Sequence, residues 1–340
     1  MLRYVISGTI DGEYDFPNEL FSGYCYEGWG NAWCMIEGIQ ARYVPAQEFI
    51  SNPQRLDDVD ILMAEFGHVE LHQLAYEQGV FNIATESGAG FDIDRAGGGE
   101  KKQDFIDRLD KCSLILSTTH GGMEYLRMFT NTPVLDIPLP MDLEQFHPRH
   151  VDKFEDFTVC LGEIIESCYD DRPLQLAAAG IIRSLGIKIA ASIGPQARDF
   201  HEADLQQLGF DNINWHPHLG LYEMSNDYLA KSHVSMMLGQ RSTYGRFIYV
   251  SWAIGVPCIA TRYQCQEMMC RELTVGYEQV DVIRELLRRL RDDAEFYQHC
   301  QQMGLQNVRK HLDKENIAFR IINEILPVYF NAEFPGVRQL

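Results

Sequence analysis

Short apolar and β-branched runs alternate along the chain with stretches whose apolar positions recur every three or four residues. In the first half, Arg3–Ser7, Ala41–Val44, Val59–Glu65, Val80–Thr85, Ser113–Thr118 and Pro133–Pro138 predict strands. Ala32–Gln40, Val69–Gln78, Gln103–Asp110 and Met123–Phe129 predict helices between them. Strands alternating with helices imply right-handed crossovers and a mainly parallel sheet covered on both faces. Periodicity then lapses over Asp142–Asp156, which reads as a linker. Beyond it the alternation restarts, with strands at Phe157–Leu161, Ile187–Ser192, Ile213–Trp215, Val234–Leu238 and Pro257–Thr261. The helices between them are Pro173–Leu185, Glu202–Leu208, Tyr222–Ala230 and Tyr244–Ile254. From Val280 the pattern is helical to Leu326, broken near Asp292 and Asp313.

The expected fold is therefore α/β, with two doubly wound Rossmann-like domains over residues 1–148 and 149–319. Residues 320–340 are expected to form a C-terminal helix and tail that return to the first domain. Doubly wound sheets bind ligands at the carboxyl ends of their strands, where strand order reverses, so two such domains facing each other would put the ligand in a cleft.

Composition supports two full cores: 340 residues, 46% of them hydrophobic and 23% charged. No apolar run approaches the roughly 20 residues that cross a bilayer. The start, MLRYVISGTIDGEYD, lacks the basic region and cleavage site of a signal peptide, so a cytoplasmic protein is expected. Nine cysteines without a CxxC pair suit free buried thiols better than a disulfide framework or a zinc site. The net charge of −20 is uneven, since residues 1–150 hold 10 basic against 24 acidic side chains. That field argues against duplex nucleic acid or an anionic membrane as the partner of the first half.

Three stretches, Ile137–Pro148, Ser242–Thr261 and Thr85–Gly90, resemble the family-4-like retaining glycosyltransferases of GT-B fold. Ile137–Pro148, IPLPMDLEQFHP, is similar to the family's interdomain linker, with Ile137, Pro138, Asp142, Phe146 and Pro148 in place and Pro140-Met141 where the family has Gly-Val. Ser242–Thr261, STYGRFIYVSWAIGVPCIAT, resembles the donor loop, its helix and the following strand entry. Thr85–Gly90, TESGAG, resembles the Glu-Ser or Glu-Thr of some relatives. The resemblance implies sugar transfer from a nucleotide-sugar donor to an unspecified acceptor, with retained configuration, no cofactor and no bound metal. The chain also departs from the pattern. Ser242 and Val250 stand where the family carries two glutamates, and Gly162-Glu163 stands where it carries Gly-Arg, leaving Arg172 as the candidate replacement cation.

The chemistry of the residues points the same way. A departing nucleoside diphosphate gathers negative charge, and Arg241, Ser242, Thr243, Tyr244, Gly245 and Arg246 lie between a strand and a helix, where helix-start amides, hydroxyls and guanidinium groups can converge on phosphate. The plainer alternative is an N-cap at Ser242 or Thr243 with solvated arginines. Gly28 and Gly30, before a helical run that Asn31 could cap, would let backbone approach a ligand near donor or acceptor, or simply make a turn. Glu86 and Ser87 end one strand and His120 follows the next, placing a carboxylate and an imidazole where reacting hydroxyls would be oriented or deprotonated, or where they merely serve the loops.

Other patterns are read as structural. His68 and His72 share a helix face without a third ligand, and His216 and His218 flank a proline in a turn. Arg288, Arg289 and Arg291 sit among acids on a solvated helix face, and Gly97–Gly99 is no dinucleotide fingerprint. Two alternatives remain alongside the transferase: a catalytically silent GT-B subunit or binding module, and a nucleotide-sugar epimerase of the same fold. Oligomeric state is open.

Overall fold

The strand β1 (Leu2–Gly8) is buried from Tyr4 to the end of its apolar run, as a strand covered on both faces must be. In this computed structural model, which describes residues 1–17, 25–86, 103, 106–118, 120–148, 151–163, 172–192, 212–216, 221–239, 245–262 and 266–331, β1 is an interior strand of the first sheet. The other strands are β2 (Tyr14–Asp15), β3 (Ile39–Pro45), β4 (Ile61–Glu65), β5 (Phe81–Glu86), β6 (Leu114–Ser117) and β7 (Val134–Asp136), in the order β2-β3-β1-β4-β5-β6-β7. All pairs are parallel except the short β2 against β3.

Alternate residues of β1 serve opposite faces. Val5 joins Val44, Phe49, Leu62, Leu71 and Val80 in one core layer. Tyr4 points the other way and stacks on Trp33 of helix α1 (Cys25–Cys34), ring centroids 4.2 Å apart. Arg3 fixes the register toward β4: its amide and guanidinium both bond the Asp60 carboxylate, at 2.7 and 3.1 Å. Two further helices of this unit are α2 (Val69–Glu77) and α3 (His120–Arg127).

The second sheet runs β10-β9-β8-β11-β12-β13, parallel throughout, from β8 (Thr158–Glu163), β9 (Lys188–Ser192), β10 (Ile213–His216), β11 (Val234–Met237), β12 (Cys258–Thr261) and β13 (Thr274–Val275). Strand order reverses between β8 and β11, the place at which a doubly wound sheet leaves a crevice. Its helices include α4 (Arg172–Ser184), α5 (Arg246–Ala253), α6 (Val280–Asp292) and α7 (Ala294–Leu312).

The chain divides into two compact units, one holding Met1–Asp142 and the chain from His311 onward, the other Leu143–Arg241 and Gly245–Lys310. Within the first, helix α8 (Lys314–Arg320) packs on α1. Lys314 pairs with Asp142 at 3.4 Å, Met141 donates to the Leu312 carbonyl at 2.7 Å, and Arg320 donates to the Asp136 carbonyl at 2.6 Å.

Two local expectations are corrected. The helix expected over Ala32–Gln40 is α1, already formed at Cys25, so Gly28 and Gly30 lie inside it rather than in a turn before it. A Cβ on Gly28 would sit 2.1 Å from the Pro140 carbonyl oxygen and one on Gly30 2.4 Å from the Phe16 ring, so packing against protein accounts for both glycines. Asn31 is likewise interior and buried, not a cap. The segment 202–208 lies outside the described residues.

Cys34, Cys112, Cys160, Cys258, Cys270 and Cys300 are free thiols, and all of these but Cys34 are buried. No helix among the described residues is long and apolar enough to cross a membrane.

Candidate functional site

Two glycines with positive φ, Gly162 and Gly245, flank the reversal point of the second sheet, one on β8 and one after β11. Gly162, near the end of β8, has φ +64° at a bulge between Cys160 and Gly162. A side chain there would sit 3.0 Å from the ring of Phe247, in the first turn of α5. Gly245 has φ +59° and forms the N-cap of α5, with no side-chain cap hydrogen bond. That corrects the alternative of an ordinary Ser242 or Thr243 cap: the chain enters the helix through a left-handed glycine, which carries no side chain to cover the helix-start amides. A helix N-terminus without a side-chain cap among the described residues, at the carboxyl end of a parallel sheet, favours an anion.

The neighbouring strand ends are firmly held. Thr261 Oγ1, at the end of β12, donates to the Gly239 carbonyl at 2.7 Å and accepts from the Gly239 amide at 3.3 Å, which fixes the chain leaving β11. Behind this edge α5 is anchored by its buried stretch Ile248–Ala253. Ser192, at the end of β9 and in register with Glu163 of β8, is fully buried, and its Oγ has no hydrogen-bond partner among the described residues. A buried hydroxyl without a partner is costly unless something else satisfies it. Sequence reasoning passed over Ser192 and Thr261, since each reads as the unremarked polar end of an apolar strand.

Among the predicted residues, Arg246 is half-buried in the first turn of α5, beside Phe247. Arg172 opens α4; the structure describes its backbone position only. Arg241, Ser242, Thr243 and Tyr244 lie outside the described residues. Val250, one of the two positions where the resembling family has glutamate, is wholly buried in α5.

In the first unit, the backbone of Glu86 ends β5 and pairs with Ser117 of β6, three residues before His120 opens α3. The fold thus brings Glu86 and His120 to one carboxyl edge of the sheet; Ser87 lies outside the described residues. The adjacent strand end at Glu65 is bound to a buried network. His72 Nε2 contacts the Glu65 carbonyl at 3.0 Å and its Nδ1 contacts Asn82 Oδ1 at 2.6 Å. The Asn82 amide donates to the His72 and Lys111 carbonyls, which sets its oxygen toward the ring. Burial lowers the pKa of His72, outweighing both hydrogen bonds. With both ring nitrogens engaged, His72 is not a metal ligand, and no His/Cys/Asp/Glu group among the described residues has metal-holding geometry.

The remaining patterns are structural. His216 stacks on Tyr228 at 4.5 Å, while His218 lies outside the described residues. Arg288 pairs with Glu285, Arg291 with Asp292, and Arg289 lies over the Phe296 ring.

No protein-family model matches the chain, and no curated protein sequence matches it. Solved structures do. Sucrose-phosphate synthase from Thermosynechococcus elongatus superposes with a TM-score of 0.72 at 13% identity, over 98% of this chain and 100% of that one. Anabaena HepE, determined in complex with UDP-glucose, gives 0.74 at 9% identity over 96% and 100%. AviGT4, a glycosyltransferase involved in avilamycin A biosynthesis, gives 0.66 at 14% identity over 98% and 99%. The likeness runs the length of both chains in each case, and it defines the class: this chain has the GT-B fold of glycosyltransferases.

Proposed function

We propose that the protein is a glycosyltransferase that binds a nucleotide-sugar through the Gly245–Arg246 turn of its second unit. The observation that carries this reading is the left-handed glycine that opens α5, with Phe247 of its first turn against Gly162, at the strand-order reversal of a Rossmann-ordered sheet. The whole-length likeness to glycosyltransferases, one of them holding UDP-glucose, supports it. In this reading the α5 amides, the flanking Arg241–Tyr244 loop, Arg246 and Arg172 neutralise the charge that grows on the diphosphate as the sugar bond breaks. Glu86 and His120 are the acceptor-side candidates for orienting or deprotonating a hydroxyl. Resemblance to the family-4-like group supports retained configuration and turnover without a metal or cofactor; a cytoplasmic location is part of the same proposal.

Calorimetric titration with UDP and UDP-glucose tests the donor site. Binding that falls about tenfold or more in Arg246→Ala, the loss of a charge-assisted hydrogen bond, and is unchanged in Arg289→Ala supports it. Equal affinities in the two variants would remove the assignment.

The second reading is a GT-B binding module without turnover, favoured by Ser242 and the buried Val250 in place of carboxylates. Donor hydrolysis or sugar transfer by the purified chain excludes it, and release of an altered free sugar without acceptor would instead mark an epimerase.

A further inference from the structure

The helical run that closes the described chain is apolar on both of its sides. It comprises α8, a wider π turn (Ile321–Ile325) and α9 (Leu326–Asn331). Ile317, Ala318, Ile321, Ile325 and Leu326 are buried and form its inner side, within the first unit. Tyr329 adds an edge-on contact with the buried ring of Phe81, centroids 5.2 Å apart. A helix that has already buried one apolar stripe is ordinarily polar on the other side. Here Phe319 is 67% exposed, Ile322 46% and Phe330 67%, and Pro327 is exposed with them.

Scattered exposed apolar side chains are ordinary, but a row of four along one helix marks an interaction surface. Two features of the row select its partner. The first is charge. The chain carries a net −20, so two copies repel over most of their surfaces. Residues 314–331 instead balance Lys314 and Arg320 against Glu315 and Glu324. Arg320 is paired with Glu324 at 2.6 Å, and Lys314 with Asp142 at 3.4 Å. The helix is thus a neutral strip along which two acidic copies can approach.

The second feature is symmetry. Phe319 and Ile322 lie as far before the Glu324–Ile325 peptide as Phe330 and Pro327 lie after it. A two-fold axis at that point runs two such helices antiparallel. It sets Phe319 against the partner's Phe330, and Ile322 against the partner's Pro327. A row that matches itself when reversed is what an isologous contact requires, whereas a lipid surface imposes no such pattern.

We infer that this face is a self-association surface, through which two copies of the chain pair antiparallel along residues 314–331. Four side chains per copy make a small contact, so the dimer forms and dissociates with concentration rather than standing permanently.

Sedimentation velocity on the full chain, over a dilution series that starts at its solubility limit, tests the proposal. The sedimentation coefficient should rise with concentration, and rise further when salt screens the repulsion between acidic copies. Phe319→Glu should weaken association by about tenfold or more, the scale of a lost interface aromatic. Its melting temperature should stay unchanged, because the ring it replaces is exposed. Combining Phe319→Glu with Phe330→Lys places an acid against a base twice across the axis, so the double variant should associate more tightly than Phe319→Glu alone. A chain that stays monomeric throughout, or a Phe319→Glu variant that dimerises like wild type, overturns the proposal. A double variant no tighter than the single one overturns it as well, since the antiparallel pairing then fails. Monomers that instead float with phosphatidylcholine vesicles, and cease to do so in Phe319→Glu, assign the face to a lipid surface and overturn it too.

Discussion

Gly162 and Phe247 touch: the missing Cβ of the first is filled by the ring of the second, which ties the end of β8 to the first turn of α5. Gly162 also holds a φ of +64°, so an alanine there meets both backbone strain and the ring. Gly162→Ala should lower stability by about 1–2 kcal/mol, the usual cost of a left-handed L-residue. It should also weaken UDP binding, because Phe247 must shift and α5 with it. Thermal melting and calorimetry on one preparation check this; lost stability with unchanged affinity would separate the glycine from the donor site.

Metal removal makes a second prediction. The proposed leaving-group charge meets α5 amides and arginines, and no His/Cys/Asp/Glu group among the described residues has metal-holding geometry. Turnover should persist in excess chelator. Complete loss that magnesium or manganese restores would show that a divalent ion takes the diphosphate charge instead.

His72 supplies a pH dependence. Its folded pKa lies below the unfolded value of about 6.5 because burial disfavours the charged ring. Between those two values the unfolded chain binds more protons, so the His72 contribution is full above about pH 6.5 and falls as pH drops below it. The stability difference between wild type and His72→Gln should therefore shrink on acidification through that window. Denaturant unfolding at pH 7.5 and 5.5 measures it; a difference that grows toward acid would mean that the hydrogen bonds to Asn82 and Glu65 hold the ring protonated.

The interior strands were legible in the sequence because burial on both faces leaves an unmistakable apolar run: β4, β5, β8 and β9 each begin or end within a residue or two of the expected place. The breaks at Asp292 and Asp313 were legible as well, and Asp313 caps α8 by accepting from the Glu315 amide. The two-residue strands β2 and β13 are too short to leave a pattern. Gly28 and Gly30 misled for a physical reason: glycine is a poor helix former alone, but here contact with Pro140 and Phe16 outweighs propensity. At the candidate site, the Gly245–Arg246 stretch was visible as a strand-to-helix turn. The left-handed cap at Gly245 and Ser192, whose hydroxyl has no partner among the described residues, were not, since both depend on where other strands end.

The last prediction concerns Glu86. With Ser242 and Val250 in place of the resembling family's carboxylates, polar control of the reacting hydroxyl must come from elsewhere, and the backbone of Glu86 stands at the carboxyl edge of the first sheet, one strand from the start of α3 at His120. If Glu86 orients or deprotonates that hydroxyl, Glu86→Gln should retain the fold and UDP affinity while turnover falls by about 10² or more, the size of a positioned acid–base contribution. If it only serves the adjoining loop, the same change should cost about 1 kcal/mol of stability, as a lost cap does, and leave the rate nearly intact. Melting temperature, UDP titration and initial rate from one batch separate the two outcomes. An unchanged rate with a lowered melting temperature assigns Glu86 to the loop and leaves His120 as the acceptor-side group to test next.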